Sequence, residues 1–377
     1  MKLYEYVIRR LVLMVFVLFA VSLSVFLLAR GALPPETALA PYITPRLDDA
    51  AKLQLAKSLA VATASCPTWS AFLSHQPSCL VPLWDQYLVW LQNVFAGNWG
   101  YSLLPGISGG TTKTWDVFTA RFAYTAELAI AGALVTILVA LPMGIVSATH
   151  NNKLPDHVSR LIAIAGYSMP IFWLGFLLQL IFGLYITVPS GQYSVALLPT
   201  NGAFSTTCGA CLGSPGTVRA YTGLPILDSI LSGNGAYFWD TLVALILPTI
   251  TLSVSTLGAL TRIVRSSMME ALRQDYILLA RSKGLKERVV VYRHAFRNAL
   301  LPALTISGLI FAFLLGGVVV VEYIFAWPGV GSAAVTATTV FDVNFLELYI
   351  LVTALIIVLA NLGVDILYAV LDPRIKY

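Results

Sequence analysis

Leu11 to Ala29 runs for 19 residues without a charge, and this stretch constrains the fold more than any other feature of the chain. A helix needs about 20 apolar residues to cross a bilayer core of ~30 Å. A secretory signal has a shorter apolar core, about 7–15 residues, so the run is expected to be kept as a span rather than cleaved. Similar stretches follow at roughly 125–148, 161–188, 241–260, 300–321 and 346–370. Hydrophobic residues make up 58% of the 377 and charged residues only 11%, against roughly a quarter charged in a soluble domain. The chain is expected to be an all-α polytopic membrane protein with six transmembrane helices.

The spans divide the chain into an N-terminal segment with the first helix (1–30), a loop or small domain (31–121), a core (122–370) and a short tail (371–377). The core carries an insert at 189–240 and a basic loop at 261–299, and the short polar turn His150 to Arg160 joins spans two and three. Cytoplasmic segments collect Lys and Arg. With both termini inside, the inner segments hold 16 of the 23 Lys and Arg and the much longer outer segments hold seven. The expected location is the cell membrane, with N- and C-termini cytoplasmic and two enlarged extracytoplasmic loops. All four cysteines then lie outside, where disulfides persist. Cys66–Cys79 and Cys208–Cys211 are the candidate bridges, and a redox or metal role for Cys208/Cys211 lacks further ligands nearby in the sequence.

Nine of the Lys and Arg lie between Arg262 and Pro302, and that loop is patterned beyond what an orientation signal needs. The spacing predicts a short helix over Asp275 to Lys283, ended by Gly284 as a left-handed cap. Helical periodicity resumes over Lys286 to Ala299 through Val289, Tyr292, Arg293 and Phe296. A short helix held out between two spans is a docking surface. Arg281, Lys283, Arg293 and Arg297 can pair with acidic groups on a partner, and Tyr276 and Leu279 offer apolar anchors.

The loop resembles the coupling loop of permeases in binding-protein-dependent ABC importers, in the form carried by the dipeptide/oligopeptide/nickel permease family. The matching residues are Asp275-Tyr276, Ala280-Arg281-Ser282-Lys283-Gly284-Leu285, and Arg293-His294-Ala295-Phe296-Arg297-Asn298-Ala299-Leu300-Leu301-Pro302. Val320 to Gly331, Asn361 to Arg374, Tyr6 to Leu11 and Tyr167 to Gly175 are similar to other family segments, in the family's order. The broader importer motif has Glu six residues before its Gly and Pro thirteen after it. Here those positions are Leu278 and Arg297, as is usual in the peptide-permease form.

The resemblance implies a type I ABC importer permease fold, forming half of a translocation pathway for di- or oligopeptides. It implies a second, similar permease (a heterodimer), two cytoplasmic ATPases, an external substrate-binding protein and surrounding membrane lipid. It also implies that ATP and magnesium are bound by the ATPases rather than by this chain. Asp275, Tyr276, Leu279, Ala280, Arg281, Lys283, Gly284, Leu285, Arg293, His294, Arg297 and Asn298 are the expected coupling residues. Oligosaccharides or nickel are alternative cargoes of the same machinery.

Pro170, Gly316, Gly317 and Glu322 are the pore-lining candidates, with Glu322 expected at the outer mouth, hydrated or facing a substrate amine. Asp365, inside the last span, is expected to hold a structural hydrogen bond, with Asn361 one turn away. No Walker A sequence, Ser/His/Asp set or HExxH is present, so neither a catalytic nor a metal site is expected, and the net charge of +5 gives no case for nucleic acid. An ion-coupled secondary transporter, the rival from another class, would need internal repeats and midplane charges. No such repeat is evident.

Overall fold

The apolar runs become helices, because a bilayer leaves no water to satisfy exposed backbone polar groups. The computed structural model describes residues 3–31, 34–43, 47–104, 112–185, 187–190, 193–196, 198–203, 221–315 and 319–371. Among them are four helices long and apolar enough to cross a membrane, or up to six if each of two bent helix pairs is one span. The described chain divides into two units by contact density: one of residues 11–122 with 333–355, the other of 1–10, 123–332 and 356–377.

The first unit takes most of α1 (Leu3–Gly31) and then α2 (Asp49–Ser58), α3 (Trp69–Leu73) and α4 (Leu83–Phe95). Asp48 and Thr68 cap α2 and α3, accepting from the backbone N–H of Ala51 and Ala71. Leu39, Leu53, Ala56, Val61, Trp69 and Phe72 form a small apolar core between them. Cys66 and Cys79, both buried within it, are disulfide-bonded with Cα atoms 4.5 Å apart. Within the stretch expected as a loop or small domain at 31–121, the residues around the expected Cys66–Cys79 bridge thus form a stapled helical subdomain. Its staple closes a loop with a sequence separation of 13. Replacing both cysteines by serine is expected to cost this subdomain about 3 kcal/mol. Limited proteolysis should then cut within 49–80 many times faster than in wild type, under non-reducing conditions.

Beyond α4, the strands β1 (Tyr101–Ser102) and β2 (Thr112–Lys113) pair antiparallel, a small departure from an all-helical chain. Tyr87 on α4 is buried, with its hydroxyl 2.9 Å from Ser22 Oγ on α1. Fully buried Asp342 precedes a helix that starts at Val343, accepts from the N–H of Phe345, and also receives the Ser102 hydroxyl and the N–H of Leu103. One carboxylate therefore caps a helix and pins a strand.

The second unit contains the greater part of α5 (Thr114–Thr149), then α6 (Leu154–Ser168) and α7 (Ile171–Leu180). The single span expected at 161–188 is instead broken, with α6 and α7 at 100° to one another. Met169, held extended by the Pro170 that follows it, makes the corner. After α7 come a π-helical turn (Ile181–Tyr185) and the antiparallel strands β3 (Thr187–Ser190) and β4 (Tyr193–Ala196). Short α8 (Pro225–Leu231) leads to α9 (Gly235–Leu272), much longer than the 20 or so residues expected.

Helix α9 is the packing spine. Leu257, Leu260, Val264 and Met268 fill one core with Ala140 and Ile145 of α5. Leu245, Leu247 and Leu252 fill another with Leu128 and Ala129. Gly258 lets α9 meet α6 closely, since a Cβ there would collide with the Ala163 carbonyl.

The chain continues through α10 (Asp275–Ser282), α11 (Glu287–Val289), a π-helical turn (Val290–Ala295) and α12 (Phe296–Leu315). It ends with α13 (Val319–Ile324), α14 (Val330–Thr339) and α15 (Val343–Leu371).

Candidate functional site: the loop helix between two spans

Two residues separate the end of α9 from the start of α10, which occupies nearly the stretch read from the spacing. Its end is a Schellman motif. The N–H of Leu285 reaches the Ala280 carbonyl, the N–H of Gly284 reaches the Arg281 carbonyl at 2.9 Å, and Gly284 adopts φ +72°. The two faces of α10 differ sharply. Ile277 and Ala280 are buried in the core formed with Ala271, Val290, Val291, Ala295 and Ala299. Tyr276, Leu278 and Leu279 are exposed, and so are Leu285 and Tyr292 just beyond the helix. An amphipathic helix that buries one apolar face and leaves a second in the open is anchored and presented at once.

The cations of the loop sort into two groups. Arg281 makes a bidentate pair with Glu287 inside the loop, at 2.6 and 3.2 Å. The pair ties the end of α10 to α11, and Arg281 itself stays exposed. Lys283, Arg293 and Arg297 are exposed and make no ion pair among the described residues. The side-chain amide of Asn298 donates to the His294 carbonyl, and Asp275 lies in the first turn of α10, where a carboxylate favours the helix dipole. The π-turn over Val290–Ala295 sits directly behind α10 in the chain. Such turns inside helices recur at functional sites, and nothing in the apolar spacing announces this one.

A buried carboxylate links this end of α9 to the α5–α6 corner. Asp156, near the start of α6, is fully buried. It accepts from Ser147 Oγ at 2.6 Å, the Asn152 N–H at 2.9 Å and Arg265 Nε and Nη2 at 2.8 and 3.0 Å. Arg265 also reaches Asn151 Oδ1. Sequence reasoning missed this group. The available signal was an Asp just inside a helix opened by Pro155, but its partner lies 109 residues away.

One expectation is corrected. Glu322, expected at a wet pore mouth, is fully buried. It accepts from Thr125 Oγ1 at 2.6 Å and from the Ser332 N–H at 2.9 Å. Trp327, also fully buried, donates its indole N–H to the Tyr124 carbonyl. The segment from α13 into α14 is folded against α5, and its carboxylate organises that packing. Asp365 is held in a structural pair, as expected, and its partner is Arg10 at 3.1 Å; α1 and α15 run close there, which no local pattern reveals. Pro170 stands at the corner between α6 and α7 and is exposed. Gly316, Gly317, Cys208 and Cys211 lie outside the described residues.

Taken with the spans, an anchored and outward-facing loop helix between α9 and α12 defines a polytopic membrane protein built to be engaged at one short element. Residues 140–377 match the family model described as binding-protein-dependent transport system inner membrane component, and the chain belongs to that family. It is 36% identical over 313 residues to the di/tripeptide transport system permease protein DppB of Pseudomonas aeruginosa, covering 82% of this chain and 86% of the relative. It is 35% identical over 298 residues to the dipeptide transport system permease protein DppB of Escherichia coli, covering 78% and 82%. The oligopeptide transport system permease protein AppB of Bacillus subtilis is 32% identical over 296 residues, covering 78% and 81%.

Proposed function

We propose that this chain forms one half of the membrane pathway of an ATP-driven importer of di- or oligopeptides. Two cytoplasmic ATPases, which bind ATP and magnesium, engage the loop helix α10. A second, similar permease completes the pathway, and an external binding protein delivers the cargo. The observation that carries this reading is the two-sided build of α10. Ile277 and Ala280 are locked into the core, so force applied to exposed Tyr276, Leu278 and Leu279 passes to α9 and α12 rather than being lost in a mobile loop. The named cargoes of the relatives support peptides. Loop charge supports termini and α10 on the cytoplasmic side.

The test is co-purification from the native host in mild detergent, followed by reconstitution. Two ATPases and a second six-span permease should travel with the chain, and the complex should take up labelled dipeptide only with ATP and the binding protein. A homogeneous preparation of this chain alone, moving solute on an ion gradient without ATP, would overturn the reading.

A further inference from the structure

A slot of about 300 Å³ opens between α6 and α9, at the end of α9 that leads into the basic loop. Its α6 wall is Arg160, Ala163, Ile164 and Tyr167, spaced to share one helical face. Its α9 wall runs the opposite way, from Arg265 and Arg262 to Ala259 and Gly258. The two helices are antiparallel here, since Asp156 meets Arg265 while Ala163 and Tyr167 meet Gly258. All the guanidinium groups therefore gather at one end, and the other end is apolar.

Among the described residues the charge at that end is only partly compensated. Asp156 is the carboxylate within ion-pair distance of Arg265 and Arg160. Arg262 is exposed and makes no ion pair among the described residues. Three guanidinium groups thus face one carboxylate. Among the lining residues, Thr261 Oγ1, on a side chain 2% exposed, lacks a hydrogen-bond partner, and Arg160 Nε has only the Asp156 carboxylate at 3.5 Å. His157, next to Arg160, shares that guanidinium through Nδ1 at 2.9 Å.

We propose that this slot binds one anionic phospholipid, its phosphate at Arg160 and Arg262 and an acyl chain along Ala163, Ile164, Tyr167 and Gly258. Charge and shape choose the occupant. A free anion would leave the apolar end empty, and a zwitterionic lipid would bring no net charge to the cationic end. Basic pockets between spans at the cytoplasmic end are suited to such headgroups. The proposal rests on the spans and not on the cargo, so it stands or falls separately from the peptide reading.

The test is native mass spectrometry of the purified full-length chain in detergent, titrated with palmitoyl-oleoyl phosphatidylglycerol or the matching phosphatidylcholine. One phosphatidylglycerol should be held at least about fivefold more tightly than phosphatidylcholine, and Arg262→Gln should weaken only the anionic lipid, again by about fivefold for one charge. Ala259→Phe, which fills the slot, should weaken both lipids, with circular dichroism showing that each variant is folded. Millimolar inorganic phosphate should fail to displace the lipid. Equal retention of the two lipids, indifference to Arg262→Gln, or displacement by phosphate would overturn the proposal. So would a lipid-free slot in the assembled transporter in which a cysteine at 259 cross-links to the second permease.

Discussion

Replacing Gly284 by valine is expected to lower ATP-driven uptake about 5–30-fold, the factor that a 1–2 kcal/mol left-handed backbone penalty imposes on the population of the native loop geometry. The chain should still reach the membrane in normal amount. Space is not the reason, for a Cβ at Gly284 would meet nothing within 4 Å. The cost comes from φ +72°, which a β-branched residue adopts only under strain. Relieving that strain breaks the Schellman bonds from Gly284 and Leu285 to Arg281 and Ala280 and frees the end of α10. Gly284→Ala should shift uptake in the same direction by less. Uptake in the valine variant equal to wild type, at matched membrane abundance, would remove α10 from the coupling path.

Asp156→Ala should be the most destabilising single change among the contacts described, at about 3–5 kcal/mol, because it leaves a partly buried guanidinium without its counter-charge. It strips acceptors from Ser147, from the Asn152 N–H and from two nitrogens of Arg265. The expected readout is a lower midpoint in denaturant titration of the detergent-solubilised chain, followed by circular dichroism. The double variant Asp156→Asn with Arg265→Met should recover part of the loss, since removing both partners of a buried pair is often near neutral. A single variant within about 1 kcal/mol of wild type, inside the range of an ordinary exposed pair, would mean that the network is solvated and contributes little.

Both predictions concern the same mechanical question. Under the proposed coupling role, α10 and the helix that carries it must both be held. The Gly284 turn and the Arg281–Glu287 pair hold the end of α10. Asp156 holds α9 to the α5–α6 corner a few turns before α10 begins.

Much of this was legible before any coordinates. Apolar runs become spans because bilayer thickness and backbone hydrogen bonding leave them no alternative. The helix at Asp275 and the glycine that ends it follow from rules that reach only a few residues along the chain, and resemblance to known permeases placed that helix among coupling loops. The tertiary structure decided matters that depend on distant partners. It buried Glu322 against Thr125, paired Asp365 with Arg10 and joined Asp156 to Arg265. It also distinguished among exposed cations of the basic loop, with Arg281 paired to Glu287 and Lys283, Arg293 and Arg297 in no ion pair among the described residues. The physical reason is range. Propensity, capping and hydropathy act between near neighbours and are written in the order of residues. The environment of a charge depends on whichever segments the packing of α5, α6, α9 and α15 brings beside it, and no local pattern records that.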